Sequence, residues 1–378
     1  MNGRATRVPF NERGGRLRGL LDLAAGRYPA FLFGGQPDGF LPVFHFHEAT
    51  PAVLEPQLRF LAENGYATVD SDAIGRLVLD GVHPGPFRVA LCFDDAWASL
   101  WTVAGPLLRK YGLRAITYAI PGRIQEAATL RPTLEDRVSN PEAIDASANP
   151  WVTWPELKAL HEAGVVDVQS HTLSHAMIFC GDRLTGFVAP GYDAGARLNR
   201  PLISTDGRWQ YQSVTEWGAP LFVQRSRMSD GLRFELSDAV RRRTIDHVAA
   251  NGGAAFFERP GWRRKLTTVA GDTAAGSWET PAAREQVIID QLARSREILN
   301  QRLGTQSVRH ICLPWGVAGD VTLQALRTTG YRTAISNRLR GSYAVRAGDD
   351  PYRLKRLNSR HLFRLPRRGR TWSVPGHA

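Results

Sequence analysis

Two rhythms of apolar and polar positions run along the chain. Short apolar runs, "LPVFHFH" (41–47), "YATVD" (66–70), "FRVALCF" (87–93) and "RAITYAI" (114–120), have the length and β-branched or aromatic content of buried strands. Between them, "PAVLEPQLRFLAENG", "SDAIGRLVLDG" and "WASLWTVAGPLLRKYG" carry the 3.6-residue period of amphipathic helices, the second opening on a Ser N-cap and each closing on glycine. A Thr-capped helix, "TWPELKALHEAG", then leads into the strand "VVDVQS". Far downstream come the helix "AAREQVIIDQLARSREILNQRLG", the strand "VRHICLP", a helix around "DVTLQALRTTG" and the strand "YRTAIS". About seven strand-then-helix units predict a parallel sheet, either a barrel or a doubly wound layer. In both, chemistry gathers at the carboxyl ends of the strands.

Polar residues stand at those ends. The third strand finishes on adjacent carboxylates, Asp94 and Asp95, which repel each other and add nothing to a core. The fifth ends in "VQSHTLSH", with His171 and His175 spaced so that one helical turn would put both imidazoles on one face. The sixth ends in "ICLPWG", where Pro314 and Gly316 make a stiff turn. Each motif alone has a bland reading: an N-cap with a solvated first-turn charge, two half-buried histidines, a turn. Together, two imidazoles and two carboxylates at the ends of one sheet point to a cation, which would relieve the carboxylate repulsion.

In this combination and order the sequence resembles the polysaccharide deacetylases, carbohydrate esterase family 4, with the NodB-homology fold. "LCFDDAW" is similar to the family's TFDDG-type motif, "SHTLSH" to its H[ST]xxH motif and "LPWG" to its third; "PVFHFHEA" resembles its "PVLxYHxV" opening strand. The resemblance implies a distorted (β/α)7 barrel with an inserted cap or subdomain. It also implies a hydrolase that removes an N-acetyl group from an amino sugar or glycan intermediate through a metal-activated water. By motif, Asp95, His171 and His175 would hold one divalent ion, Zn2+ in the first instance with other divalent ions left open, and Asp94 would be the general base. Pro314, Trp315 and Gly316, with Trp97, would meet the substrate. The domains expected are a 1–40 extension, a first barrel part at 41–179, an insertion at 180–283, a second barrel part at 284–357 and a basic tail at 358–378.

Departures from the family pattern carry their own expectations. Cys92 and Ala96 replace the usual Thr and Gly, and Cys312 stands where an arginine often orients the base, so the partner of Asp94 is open. No late histidine is recognisable as general acid; His361 lies in an arginine-rich stretch read as a solvated tail. Strand alternation puts His45 and His47 on one face. His47 lies nearer the carboxyl end and matches the family's "YHxV" histidine, so it is the expected acid. The insertion, about a hundred residues, is too long for a structureless loop. Its tryptophans and arginines form either its own small core with a solvated surface, or a wall that stacks on sugar rings and pairs with anionic groups.

Composition narrows the partners. An apolar fraction of 43% with 22% charged residues is that of an ordinary globular protein. The net charge of +12 is almost entirely arginine, with lysine only at Lys110, Lys158, Lys265 and Lys355. It is read as compositional, not as a nucleic-acid signal, with a weak pull toward anionic ligands or membrane surfaces. Three cysteines without CxxC spacing give no disulfide framework. No secretory h-region and no apolar stretch of about 20 residues is present, so a cytoplasmic location is expected, with peripheral membrane contact left open. The expected partner is an N-acylated sugar or glycan, phosphorylated or lipid-linked forms included. Alternatives are a deformylase or amidase on a lipid- or nucleotide-linked amino sugar, an amidase on a non-sugar cyclic imide or ureide, and a non-catalytic carbohydrate-binding protein.

Overall fold

A computed structural model describes residues 16–35, 37, 39–139, 149–192, 198–205, 207–271, 276–337 and 341–367. The extreme ends, on which the expectations of no h-region and of a basic tail partly rest, lie outside them. In chain order the strands are β1 (Val43–Phe46), β2 (Ala67–Thr68), β3 (Arg88–Asp95), β4 (Ala115–Ala119), β5 (Val166–Ser170), β6 (Met177–Phe187) and β7 (Leu202–Thr205). There follow β8 (Arg208–Tyr211), β9 (Pro220–Ser226), β10 (Phe234–Leu236), β11 (Gly276–Trp278), β12 (His310–Cys312), β13 (Thr333–Ile335) and β14 (Leu357–Asn358).

The described residues form two compact units. In the first, which ends its N-terminal portion at Ser174 and resumes with Asp290–Ala318 and from Leu323, seven strands lie in the parallel order β13-β12-β5-β4-β3-β1-β14, and β2 pairs with the start of β3. Leu354 bridges Ile335 of β13, and three residues later Leu357 pairs with Phe44 of β1. The segment 354–358 therefore reaches both edges and brings the sheet round into a distorted (β/α) barrel. Strand alternation sorts the core: Val89, Leu91 and Phe93 of β3 pack in one hydrophobic cluster, while Ala90 and Cys92 pack in another with Ile116 and Tyr118 of β4. Burial on both faces is what a parallel sheet covered by helices requires.

Helix starts and stops follow local chemistry. Thr153 and Glu156 make a capping box at the helix Trp154–Glu162. The helix Ser71–Asp80 is capped by Asp70, which accepts from the Ala73 backbone N–H, so Ser71, read as the cap, is its first residue. The single helix expected after Trp97 is a π-type turn, Leu100–Ala104, running into an α-helix at Gly105–Lys110, where Pro106 lacks the donor to continue a regular ladder. The segment around Phe31 and Phe40 contributes to the same core, and Asp22 makes a 2.9 Å ion pair with Lys355, both side chains 1% exposed. The 3-10 helix Ser359–Arg364 buries Leu362, and Leu365 after it is buried too, so this part of the C-terminal segment is packed, unlike the solvated stretch read from its arginines.

The second unit comprises His175–Ile289 and Gly319–Thr322. It is built from three antiparallel pairs, β6 with β9, β7 with β8 and β10 with β11, and the helices Asp238–Ala250 and Trp262–Ala270. Its cores are small: Phe187, Val240, Val248, Phe256 and Leu266 in one, Phe179, Ile203, Phe222 and Phe234 in the other. Trp217 and Trp262 pack against the first core, whereas Trp209 and Trp278 are exposed. Three arginines of the expected surface are paired with carboxylates. Arg227 is buried against Glu279, Arg233 meets Glu235, and Arg241 meets Glu216.

Candidate metal and base site

Adjacent residues on a strand face opposite ways. Asp94 and Asp95 nonetheless each place a carboxylate oxygen within 4.8 Å of a His171 ring nitrogen. The strand breaks its own alternation to do this: Asp95 has φ +68° and Ala96 φ +54°. Among the described residues, seven non-glycine positions have positive φ, and five of them, Asp95, Ala96, Thr172, His175 and Trp315, lie in the three motifs. Such conformations cost of order 1–3 kcal/mol each and persist where surroundings over-determine them.

Asp95, His171 and His175 each offer one donor atom, all within 4.8 Å of one another, and all three residues are buried. Each is held by its neighbours. The Trp97 indole N–H donates to Asp95 Oδ2 at 3.0 Å, and that indole stacks on Trp151 with centroids 5.4 Å apart. His171 Nδ1 bonds the Cys312 carbonyl at 2.6 Å, which directs Nε2 to Asp95 Oδ1 at 3.3 Å. The stretch from His171 to His175 is not a helical turn, contrary to the spacing-based expectation. Thr172 at φ +66° and His175 at φ +51° bend it, and Gln291 on the helix Pro281–Leu303 anchors it, accepting from the Ser174 N–H at 3.1 Å and from its hydroxyl at 2.7 Å. One carboxylate with two imidazoles is a donor set suited to zinc or a similar divalent ion with positions left open. A second grouping, Asp94, His171 and Cys312, is also geometrically close. Its Asp94 and Cys312 are both taken by one guanidinium.

That guanidinium belongs to Arg356. It grips Asp94 through two parallel bonds, 2.6 Å to Oδ1 and 2.7 Å to Oδ2, and reaches Cys312 Sγ at 3.1 Å. Burial by itself would push the Asp94 carboxyl up, but Arg356 pulls it well below the usual carboxylate range, so it stays ionised. This is the partner of Asp94 that the sequence left open, supplied from the end of the expected second barrel part, just before the residues read as a basic tail. Its signal was faint: two basic residues, Lys355 and Arg356, bracketed by Leu354 and Leu357. His47 Nε2 lies 3.9 Å from Asp94 Oδ2 with its side chain 57% exposed. His45 sits perpendicular to it, centroids 5.7 Å apart, and burial, then Arg356, lower its pKa to about 4, so its ring is neutral near pH 7.

The Pro314–Gly316 turn is a 3-10 turn with Trp315 at φ +54° and 38% exposed. Gly316 is required there, since a Cβ would stand 2.4 Å from the Asn337 amide. Trp97, by contrast, has its N–H bonded to Asp95 and its half-buried ring stacked on Trp151. Among the described residues no helix is long and apolar enough to cross a membrane.

Comparison with known proteins adds the following. Residues 81–194 match the family model described as polysaccharide deacetylase. Over 190 residues, half of this chain, the sequence is 25% identical to the poly-beta-1,6-N-acetyl-D-glucosamine N-deacetylase of Escherichia coli strain K12, of whose length the match spans 26%. Among solved structures, a de-N-acetylase from Aggregatibacter actinomycetemcomitans is similar over 84% of this chain and 94% of its own, at 16% identity and TM-score 0.47. A deacetylase domain from Bordetella bronchiseptica is similar over 84% and 95%, at 15% identity and TM-score 0.48.

Proposed function

We propose that this chain, whose residues 81–194 match the polysaccharide deacetylase model, is a metal-dependent hydrolase that removes acetyl groups from N-acetylglucosamine units of a glycan. The observation that carries the reading is the convergence of Asp95, His171 and His175 beside an ionised, doubly anchored Asp94. The substrate class is taken from the curated relative, which names poly-N-acetylglucosamine.

Asp95, His171 and His175 would hold the ion. When bound, a divalent cation of this kind acidifies a water and polarises an amide carbonyl. Asp94 accepts the proton of the attacking water at whichever of Oδ1 and Oδ2 faces it. Arg356 makes Asp94 a weak base but keeps it in the accepting form and fixes both oxygens, so geometry replaces basicity. His47, close to Asp94 and open to solvent, donates a proton to the leaving nitrogen, which cannot depart as an anion. His45, half-buried and neutral, backs the ring of His47. Trp97 steadies Asp95, and the exposed Trp315 offers an apolar face at the carboxyl end of β12 for a sugar ring. The buried, unpaired Cys92, Cys180 and Cys312 are compatible with a cytoplasmic address.

The test is product analysis on N-acetylglucosamine oligomers. Acetate release by the wild type, reduced about 10²–10⁴-fold in Asp94→Asn with bound metal retained, is expected. Formate or a ring-opened acid as product would move the reading to another amidase. His47→Ala should lose amide hydrolysis while keeping an aryl acetate, whose phenolate leaves without a proton; equal losses on both would reject His47 as the acid.

A further inference from the structure

A cavity of about 330 Å³ lies within the unit formed by His175–Ile289, and none of its lining residues belongs to the metal and base site. Its apolar floor is Phe179, Ile203 and Phe234, from one of that unit's small cores. At its edge stands Trp209, on the hairpin strand β8 and 47% exposed. The Arg233 guanidinium lies over the indole, 4.0 Å from the ring centroid, and steadies a ring that is both exposed and part of the cavity lining. A large exposed indole held rigid beside a concave, partly apolar hollow gains nothing for the fold. It is the arrangement that binds the C–H face of a flat, hydroxyl-rich ring.

The charges of the lining decide the class of ligand. Two are positive, Arg233 and Arg241, and two negative, Glu235 and Asp238. Arg233 is bonded to Glu235 at 2.8 Å, and Arg241 is bonded to Glu216. The two cations and two carboxylates leave the lining without net positive charge to hold a phosphate or carboxylate, whereas hydroxyl and amide groups can bond donors and acceptors of both kinds. The volume is at the lower end of the range for ligand pockets, roughly 300–1,000 Å³, and suits one sugar ring better than a stretch of polymer.

We propose that this cavity is a second saccharide-binding site, which takes a single neutral N-acetylhexosamine ring of the glycan against the Trp209 indole. In its choice of sugar the inference rests on the deacetylase reading above; in its geometry it does not.

The experiment measures binding without turnover. Short N-acetylglucosamine oligomers are titrated into the Asp94→Asn chain, followed by tryptophan fluorescence and by ligand-observed NMR. Adding Trp209→Ala should weaken binding roughly tenfold or more, the size of one aromatic stacking contact, whereas Trp209→Phe should restore most of it. Trp278→Phe changes an exposed indole that does not line the cavity while keeping a ring against Phe234, and should leave the titration unchanged. Equal affinity in Trp209→Ala, or no binding by the parent chain, overturns the proposal. Wild-type protein that binds the oligomers through Trp209 but releases no acetate would overturn the deacetylase reading and leave this site standing.

Discussion

At the scale of single residues, two adjacent carboxylates take different work. Positive φ at Asp95 breaks the strand alternation, and each carboxylate then meets its own partner, Trp97 for Asp95 and Arg356 for Asp94. Replacing Arg356 by Met should leave metal binding intact and lower acetate release about 10–100-fold, the usual cost of losing a group that orients a reacting one. Loss of bound metal in that variant would instead make Arg356 a general support of the site. The positions of Asp94, Asp95, His171 and His175 were legible because each motif is local in sequence, although the helical turn expected for the histidines was not what joined them. Arg356 was not legible. It lies 262 residues from Asp94, and nothing in an arginine-rich segment distinguishes the one guanidinium that turns inward.

Among elements, short strands and their helices could be read from periodicity, since burial on both faces leaves continuous apolar runs. The closing segment 354–358 could not, because two of its five residues are basic and its pairing is only a bridge and a two-residue strand. Ion pairs fix several joints between elements. Arg131 bonds Glu156 with Nε at 2.8 Å, and Glu156 also caps Thr153, tying the loop at 131 to the helix Trp154–Glu162. Glu156→Gln leaves the buried Arg131 charge unpaired and should cost about 3–5 kcal/mol in denaturant unfolding at pH 7. Burial opposes ionisation of Glu156, yet bonds from Arg131 and Thr153 hold its pKa below the ordinary value. A depressed folded pKa stabilises above the unfolded value, about 4.3, and that stability is lost as pH falls through the folded value. The gap between wild type and Glu156→Gln should therefore narrow in acid. A gap that is constant from pH 7 downward would contradict the pairing.

On the scale of the whole molecule, arginines at 131, 227, 233, 241 and 356 are spent on internal carboxylates, which leaves the net charge of +12 unchanged and carried by the other basic residues. The insertion's existence was legible from its length, but which of its tryptophans pack and which stay exposed was not, because periodicity is weak in short antiparallel pairs. The segment before β1 is likewise integral: Asp22 neutralises Lys355, one residue from Arg356. Asp22→Asn should lower stability by about 3–5 kcal/mol and, through the segment 354–358, reduce turnover; unchanged melting would show that Lys355 finds another partner. The central claim is that three buried side chains hold an ion without which Asp94 has no sufficiently acidic water to deprotonate. It is tested most directly by acetate release from N-acetylglucosamine oligomers before chelation, after chelation and after readdition of zinc. Release that disappears with the metal and returns with it is the predicted result, and release that continues undiminished in the chelated protein would contradict the account.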